Sequence, residues 1–191
     1  MYPGLYITNY CDKRCNSFHS ITRLSESEAL LLADDLSQHV EPFFTSFSRF
    51  QRSDFPGYYK KRVRTEKWLY DSFLALNGEP KTSSPLYFVL GESTYLENWY
   101  KNGIKTQLPL DIISPSEISF TIGDSMGIID KEDRIEPLTK EGLLDFISNK
   151  SNDIFSFLHD LNKNNRYIEV QLWNDSYIPH THNDSPYRKG Y

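Results

Sequence analysis

The sequence predicts an α+β fold: a single domain built on one mixed or antiparallel sheet of about 4–6 strands, with helices packed mainly on one face. Three observations predict it. Three strand-like segments crowd between Leu86 and Met126, a fourth from Arg166 to Trp173 alternates apolar and polar residues, and two long helical patterns precede them all. The 191 residues suit one domain, because a chain of this length hides about two thirds of its unfolded surface. The globular domain is expected over 1–173, with an extended C-terminal tail over 174–191.

Leu5 to Thr8 reads as a first strand, followed by a polar loop around Cys11 and Cys15. Ser25 and Glu28 form a capping box that leads into Ala29, Leu32, Ala33, Leu36 and Val40 at helical spacing, so a helix is expected over 25–40. The aromatic stretch Pro42 to Phe50 reads as an irregular connector that closes at Phe55-Pro56-Gly57. A second helix is expected from Tyr58 to Asn77, stopped by Gly78, with Tyr59, Val63, Leu69, Tyr70, Phe73 and Leu76 as its apolar stripe.

Leu86 to Leu90 is apolar throughout and reads as an interior strand. Thr106 to Asp111 contains Pro109, which removes a ladder donor, so that segment is an edge strand or is bulged there. Ile118 to Ile122 is the third strand, and Ser93 to Gly103 holds a short helix between the first two. Polar residues in cap position start two further helices, over 139–148 and 153–162, and the charged segment 130–136 before them reads as a surface loop. On the last strand Ile168, Val170 and Leu172 share one face, while Tyr167, Glu169, Gln171 and Trp173 share the other.

The chain is aromatic-rich, with 15% Phe, Trp and Tyr against 38% hydrophobic residues, so rings carry burial that smaller side chains carry elsewhere. It is also acidic, at a net −5, and the two cysteines do not supply a disulfide scaffold. With no signal-like or membrane-spanning run, the expectation is a soluble cytoplasmic protein that does not engage a membrane. Charge is unevenly placed. Between Thr45 and Lys67 seven basic residues, among them Arg49, Arg52, Arg62 and Arg64, face only Asp54 and Glu66. This aromatic-basic segment, 43–67, has the composition of a surface for phosphate or for an acidic partner.

Two stretches read almost alike: Phe88-Val89-Leu90-Gly91-Glu92-Ser93 and, 32 residues later, Phe120-Thr121-Ile122-Gly123-Asp124-Ser125. Each is a buried strand ending in a glycine turn that presents an acid and a hydroxyl. If the two strands are neighbours, Glu92, Ser93, Asp124 and Ser125 gather at one rim as ligand-binding groups. Glu169 and Gln171 stand beside each other on a ring-lined face and are the catalytic candidates. Glu66 lies on the apolar stripe of the second helix, where a carboxylate needs a partner or a shifted pKa.

Cys11, Cys15 and His19 resemble part of a metal site, but the nearest second set, His180, His182 and Asp184, stands at no standard spacing, and no metal is expected. P-loop, G-x-G-x-x-G, G-x-S-x-G and H-E-x-x-H motifs are missing from the sequence, and no cofactor is assigned.

Leu5-Tyr6, Pro85-Leu86-Tyr87-Phe88 and Tyr167-Ile168-Glu169-Val170 together resemble bacterial ADP-ribosyltransferases of the nucleic-acid-modifying kind. The resemblance implies that a polar residue from the first strand, a ring or hydroxyl on a middle strand and a late Glu grip NAD and polarise its ribose. His19, Tyr87 or Ser119, and Glu169 take those places by order. Two functions follow. The favoured expectation is a binding or accessory protein without catalysis, whose partner is a protein or a small nucleotide; the other is a nucleotide- or nucleic-acid-directed enzyme with Glu169 as its key carboxylate. Nucleic acid is the less favoured ligand for an acidic chain.

Overall fold

A computed structural model describes residues 4–13, 15, 17–38, 53–101 and 103–178. The fold is α+β, on one five-stranded antiparallel sheet of order β3-β1-β2-β5-β4. The strands are β1 (Tyr6–Cys11), β2 (Leu86–Leu90), β3 (Ile104–Pro109), β4 (Ile118–Ile122) and β5 (Ile168–Leu172). As Pro109 predicts, β3 is an edge strand, and Pro109 is its last residue.

Alternation along the strands divides the sheet into two faces. Ile7, Leu86, Phe88, Leu90, Ile118, Phe120, Ile168, Val170 and Leu172 form the main core, covered by Leu143 and Ile147 of α5 (Lys140–Ser148) and by Ile154 and Leu158 of α6 (Ile154–Lys163). The expected helices at 139–148 and 153–162 are thus found, capped by Thr139 and Asp153.

The opposite face is covered by α2 (Phe55–Ala75), against which α1 (Glu26–Gln38) packs through Ala29, Ala33 and Phe55. Trp173, which directly follows β5, stacks on Phe73 of α2 with ring centroids 5.7 Å apart and meets Tyr70 edge-on.

α2 begins three residues earlier than its pattern suggests. Proline is tolerated in a first turn, where its missing donor would be unpaired anyway, and Phe55 gains burial in the α1 contact, so Phe55-Pro56-Gly57 is helix rather than connector. Its buried face also differs from the expected stripe. Thr65, Glu66, Leu69 and Phe73 are buried while Val63 and Leu76 are exposed. A polar pair stands where an aliphatic was expected.

The first five residues of the expected tail fold back onto the domain. A 3₁₀ turn at Asp175–Tyr177 is tied by Arg23 to Asp175 at 2.6 Å and by the Tyr177 hydroxyl to the Glu117 carboxylate. Among the described residues no helix is long and apolar enough to cross a membrane.

The twin stretches have a structural basis. β2 and β4 flank β5 on its two sides, and residues 32 apart pair with the same partner: Phe88 and Phe120 with Val170, Val89 and Thr121 with Glu169. Both strands therefore end at the same edge of the sheet. Each leaves through a glycine of positive φ, +67° at Gly91 and +100° at Gly123, and each turn opens a short helix, α3 (Thr94–Trp99) and α4 (Ser125–Ile128).

Among the described residues nothing lies within 4 Å of a Cβ placed at Gly123, so an alanine there meets only backbone strain. Gly123→Ala is expected to cost about 1–2 kcal/mol, read as a lower urea midpoint at unchanged m-value. An unchanged midpoint would contradict this account of the turn.

Candidate functional site

A pocket of about 290 Å³ opens over the polar face of the sheet. Its floor is Thr8 and Tyr10 of β1, Tyr87 and Val89 of β2, and Tyr167 and Glu169 at the β5 end. Tyr58 and Arg62 of α2 wall one side; Tyr95, Leu96, Trp99 and Tyr100 from α3 and its C-cap wall another; Asp124 closes the rim.

Glu169 is 6% exposed, so its ring-lined face of the strand is covered rather than open to solvent. β5 is paired on both sides and covered on both faces, and all five of its residues are buried. A carboxylate in such a position must be hydrogen-bonded, charge-paired or protonated. Burial pushes Glu169 up to about 7, Asp124 adds to the rise, and Arg62, Ser125 and Gln171 oppose it.

Four residues behind Glu169 fix its orientation. The Trp173 indole N–H donates to Ser119 Oγ at 2.9 Å, and Ser119 donates to Gln171 Oε1 at 2.9 Å. That leaves the Gln171 amide to donate to Glu169 Oε1 at 3.0 Å and to Thr121 Oγ1 at 3.1 Å. Thr121 passes its own proton to the Gly123 carbonyl at 3.1 Å. The indole N–H at one end can only donate and the Gly123 carbonyl at the other can only accept, and the directions of the bonds between them agree with both ends.

Arg62 is held as firmly. Its guanidinium lies over the Tyr87 ring, 3.6 Å from the centroid, and donates to Glu66 Oε1 at 3.2 Å. Glu66 accepts two further hydrogen bonds, from the Thr22 hydroxyl at 2.6 Å and from the Tyr87 hydroxyl at 3.2 Å. Burial works against the Arg62 charge, but the Tyr87 and Tyr58 oxygens, Glu169 and Glu66 outweigh it and hold the guanidinium above its ordinary pKa. Burial also raises Tyr87 and Tyr167, with Arg62 opposing the rise in Tyr87 and Asp124 and Glu169 adding to that in Tyr167.

The structure gathers some of the expected site residues and separates others. Glu169, Asp124 and Arg62 line the one pocket, with Gln171 directly behind Glu169. Glu66 sits behind Arg62 as its counter-charge rather than in the pocket. The Gly91 turn lies on the same rim, yet Glu92 turns away and pairs with Lys105 at 2.7 Å on β3. Ser93 is buried as the N-cap of α3, where it accepts from Leu96 N–H. Ser125 is buried beneath the second turn. Arg64 points away to Asp130, which also takes Lys61 at 2.9 Å. Arg49 and Arg52 lie outside the described residues, as does the aromatic stretch to Phe50.

His19 is not among the pocket-lining residues. Among the described residues no group of three or more His, Cys, Asp or Glu could hold a metal ion, and the Cys11 thiol instead meets the Asp12 and Cys15 carbonyls. Several lining residues were not singled out from the sequence. Thr8 and Tyr10 share the face opposite Ile7 on β1, a period-two signal that six residues carry weakly. The α3 rings belong to a helix with no buried residue, so they wall the pocket and not the core.

No protein-family model matches the chain, and neither a curated protein nor a solved structure does.

Two outcomes follow from this electrostatics. The folded protein holds the Glu169 proton more tightly than the unfolded chain, so Glu169 costs stability progressively as pH rises from about 4.5 through 7. Relative to wild type, Glu169→Gln is expected to gain stability between pH 5 and 8, by roughly 3 kcal/mol at most. Melts at the two pH values test it; a difference that does not change with pH would refute the raised pKa. Arg62→Met leaves Glu66 buried with no cation and is expected to cost about 3–5 kcal/mol by denaturant titration, with Glu66→Gln in the same chain recovering part of the loss.

Proposed function

We propose that the protein is an enzyme acting on a nucleotide at its N-glycosidic bond, by transfer or hydrolysis, with Glu169 as the catalytic carboxylate. The observation that carries this reading is a buried carboxylate oriented by Gln171 and pushed up by burial, set in the floor of a pocket lined by tyrosines and closed by a second acid, Asp124. Two carboxyl groups in contrasting environments are how glycosidic chemistry is commonly run, since breaking the C1′–N bond leaves positive charge on the sugar.

Each group has a role. The rings of Tyr95 and Tyr167 offer faces on which a base stacks. Glu169 accepts a hydrogen bond from a ribose hydroxyl and, with Asp124, stabilises the oxocarbenium-like transition state. The bonding electron pair leaves with the base, and water or an acceptor hydroxyl attacks C1′, releasing a proton that Glu169 can take. Arg62, the one cation among the described residues of the pocket lining, attracts phosphate.

The resemblance to ADP-ribosyltransferases supports the same reading. Tyr87 and Glu169, two of the residues it singles out, share this pocket, and Thr8 and Tyr10 offer polar groups from the first strand where His19 was expected.

Thermal shift against NAD, ADP-ribose, AMP and short oligonucleotides, with chromatography of any released base, tests the proposal. A bound nucleotide at 100 times its Kd adds about 2.7 kcal/mol of stability. Wild type is expected to release the base, and Glu169→Gln to keep the shift while losing release by about 10²-fold or more. Binding without release would instead favour the accessory-protein reading, and no shift with any nucleotide would overturn the proposal.

A further inference from the structure

The two Gly-acid-Ser turns divide their labour differently. After β2 the serine is the N-cap: Ser93 Oγ accepts from Leu96 N–H, and the acid before it, Glu92, is left over and goes out to Lys105. After β4 the acid is the N-cap: Asp124 accepts from Met126 N–H at 3.1 Å, and the serine is left over. The left-over group is therefore a hydroxyl, and it is turned inward. Ser125 is 0% exposed, and among the described residues its Oγ makes no formed hydrogen bond.

A buried hydroxyl without a partner costs about 1–3 kcal/mol, and one in a native fold calls for an explanation. Ser125 directly follows Asp124, which shares the pocket with Glu169, in the turn that ends the strand whose Thr121 pairs with Glu169, and it favours the charged form of that carboxyl. Gln171 already donates to Oε1, and an amide NH₂ can only donate. A hydroxyl both donates and accepts.

We propose that Ser125 is the positioning residue for Glu169, a reversible partner that donates to the carboxylate when Glu169 is ionised and accepts the carboxyl proton when it is neutral. Glu169 then has a satisfied partner in both protonation states, which a residue that gives and takes a proton requires. The other charged or titratable groups facing Glu169 are Arg62 from α2, Tyr87 from β2, Asp124 from the turn, and Tyr167 two residues before it, with Glu66 one step behind Arg62. Tyr87 and Tyr167 are both held above their ordinary pKa, so their hydroxyls stay neutral through the range in which Glu169 titrates.

This inference deepens the glycosidic reading, but its test needs no substrate. The Glu169 carboxyl is followed by ¹³C NMR across pH 4–9 in the full chain for wild type, Ser125→Ala and Ser125→Thr, with Glu169→Gln assigning the signal and melts confirming that each variant is folded. Removing the donor destabilises the charged form, so Ser125→Ala is expected to raise the midpoint by about half a pH unit or more, and Ser125→Thr to restore it. An unchanged or lowered midpoint in folded Ser125→Ala would overturn the proposal, as would a threonine variant that behaves like alanine. If the midpoint moves as expected while no nucleotide is turned over, the glycosidic reading fails and the role of Ser125 stands.

Discussion

Everything around the pocket depends on the placement of β5. It is paired on both sides, by β2 and β4, and covered on both faces, by α5 and α6 beneath and α2 above. On such a strand alternation sends every second residue into a space with almost no water. Leu172, Val170 and Ile168 meet that condition by being apolar. Glu169 and Gln171 meet it through a directed chain of hydrogen bonds that begins at Trp173. The carboxylate is thus oriented and partly desolvated by the same requirement, satisfaction of buried polar groups.

A second polar network joins Glu66 and Arg62 of α2 to Thr22 and to Tyr87 of β2, and meets the first at the pocket. Among the described residues Arg62 is the only strong cation in the pocket lining with Glu169 and Asp124, and it already donates to Glu66. The pocket therefore carries more carboxylate than guanidinium, and its rings face that excess. Such a lining welcomes positive charge that appears on the sugar during a reaction, with Arg62 left to face the phosphate.

Much of this was legible from residue patterns. Interior β2, the proline-marked edge of β3, the capped helices α5 and α6, and the side-by-side pair Glu169 and Gln171 all follow from periods of two and 3.6 and from cap chemistry. The likeness of Phe88–Ser93 to Phe120–Ser125 proved to be a matter of register, since both segments read against the same partner strand. What stayed hidden was long-range. Nothing local says that Glu92 will reach Lys105 while Asp124 stays over Glu169, because their sequence contexts are nearly the same. The α2 pattern puts Glu66 on the apolar stripe, but it does not show that Arg62 turns inward beside it and Val63 outward, since a buried cation looks like a wet face in any hydropathy reading.

The outer strands close the sheet in different ways. Along β4, Phe120 exchanges both backbone hydrogen bonds with Leu138, at 3.0 and 2.8 Å, so an incoming strand finds those groups taken. At the other margin β3 ends in Pro109, which has no N–H to offer, and carries Lys105, whose charge would have to be stripped of water by any second copy laid against it. A chain this rich in aromatic residues has strong reasons to self-assemble through open β edges. These terminations make edge-to-edge strand addition a poor route to fibrils, and they leave the rings free to be spent inside the fold and around its pocket.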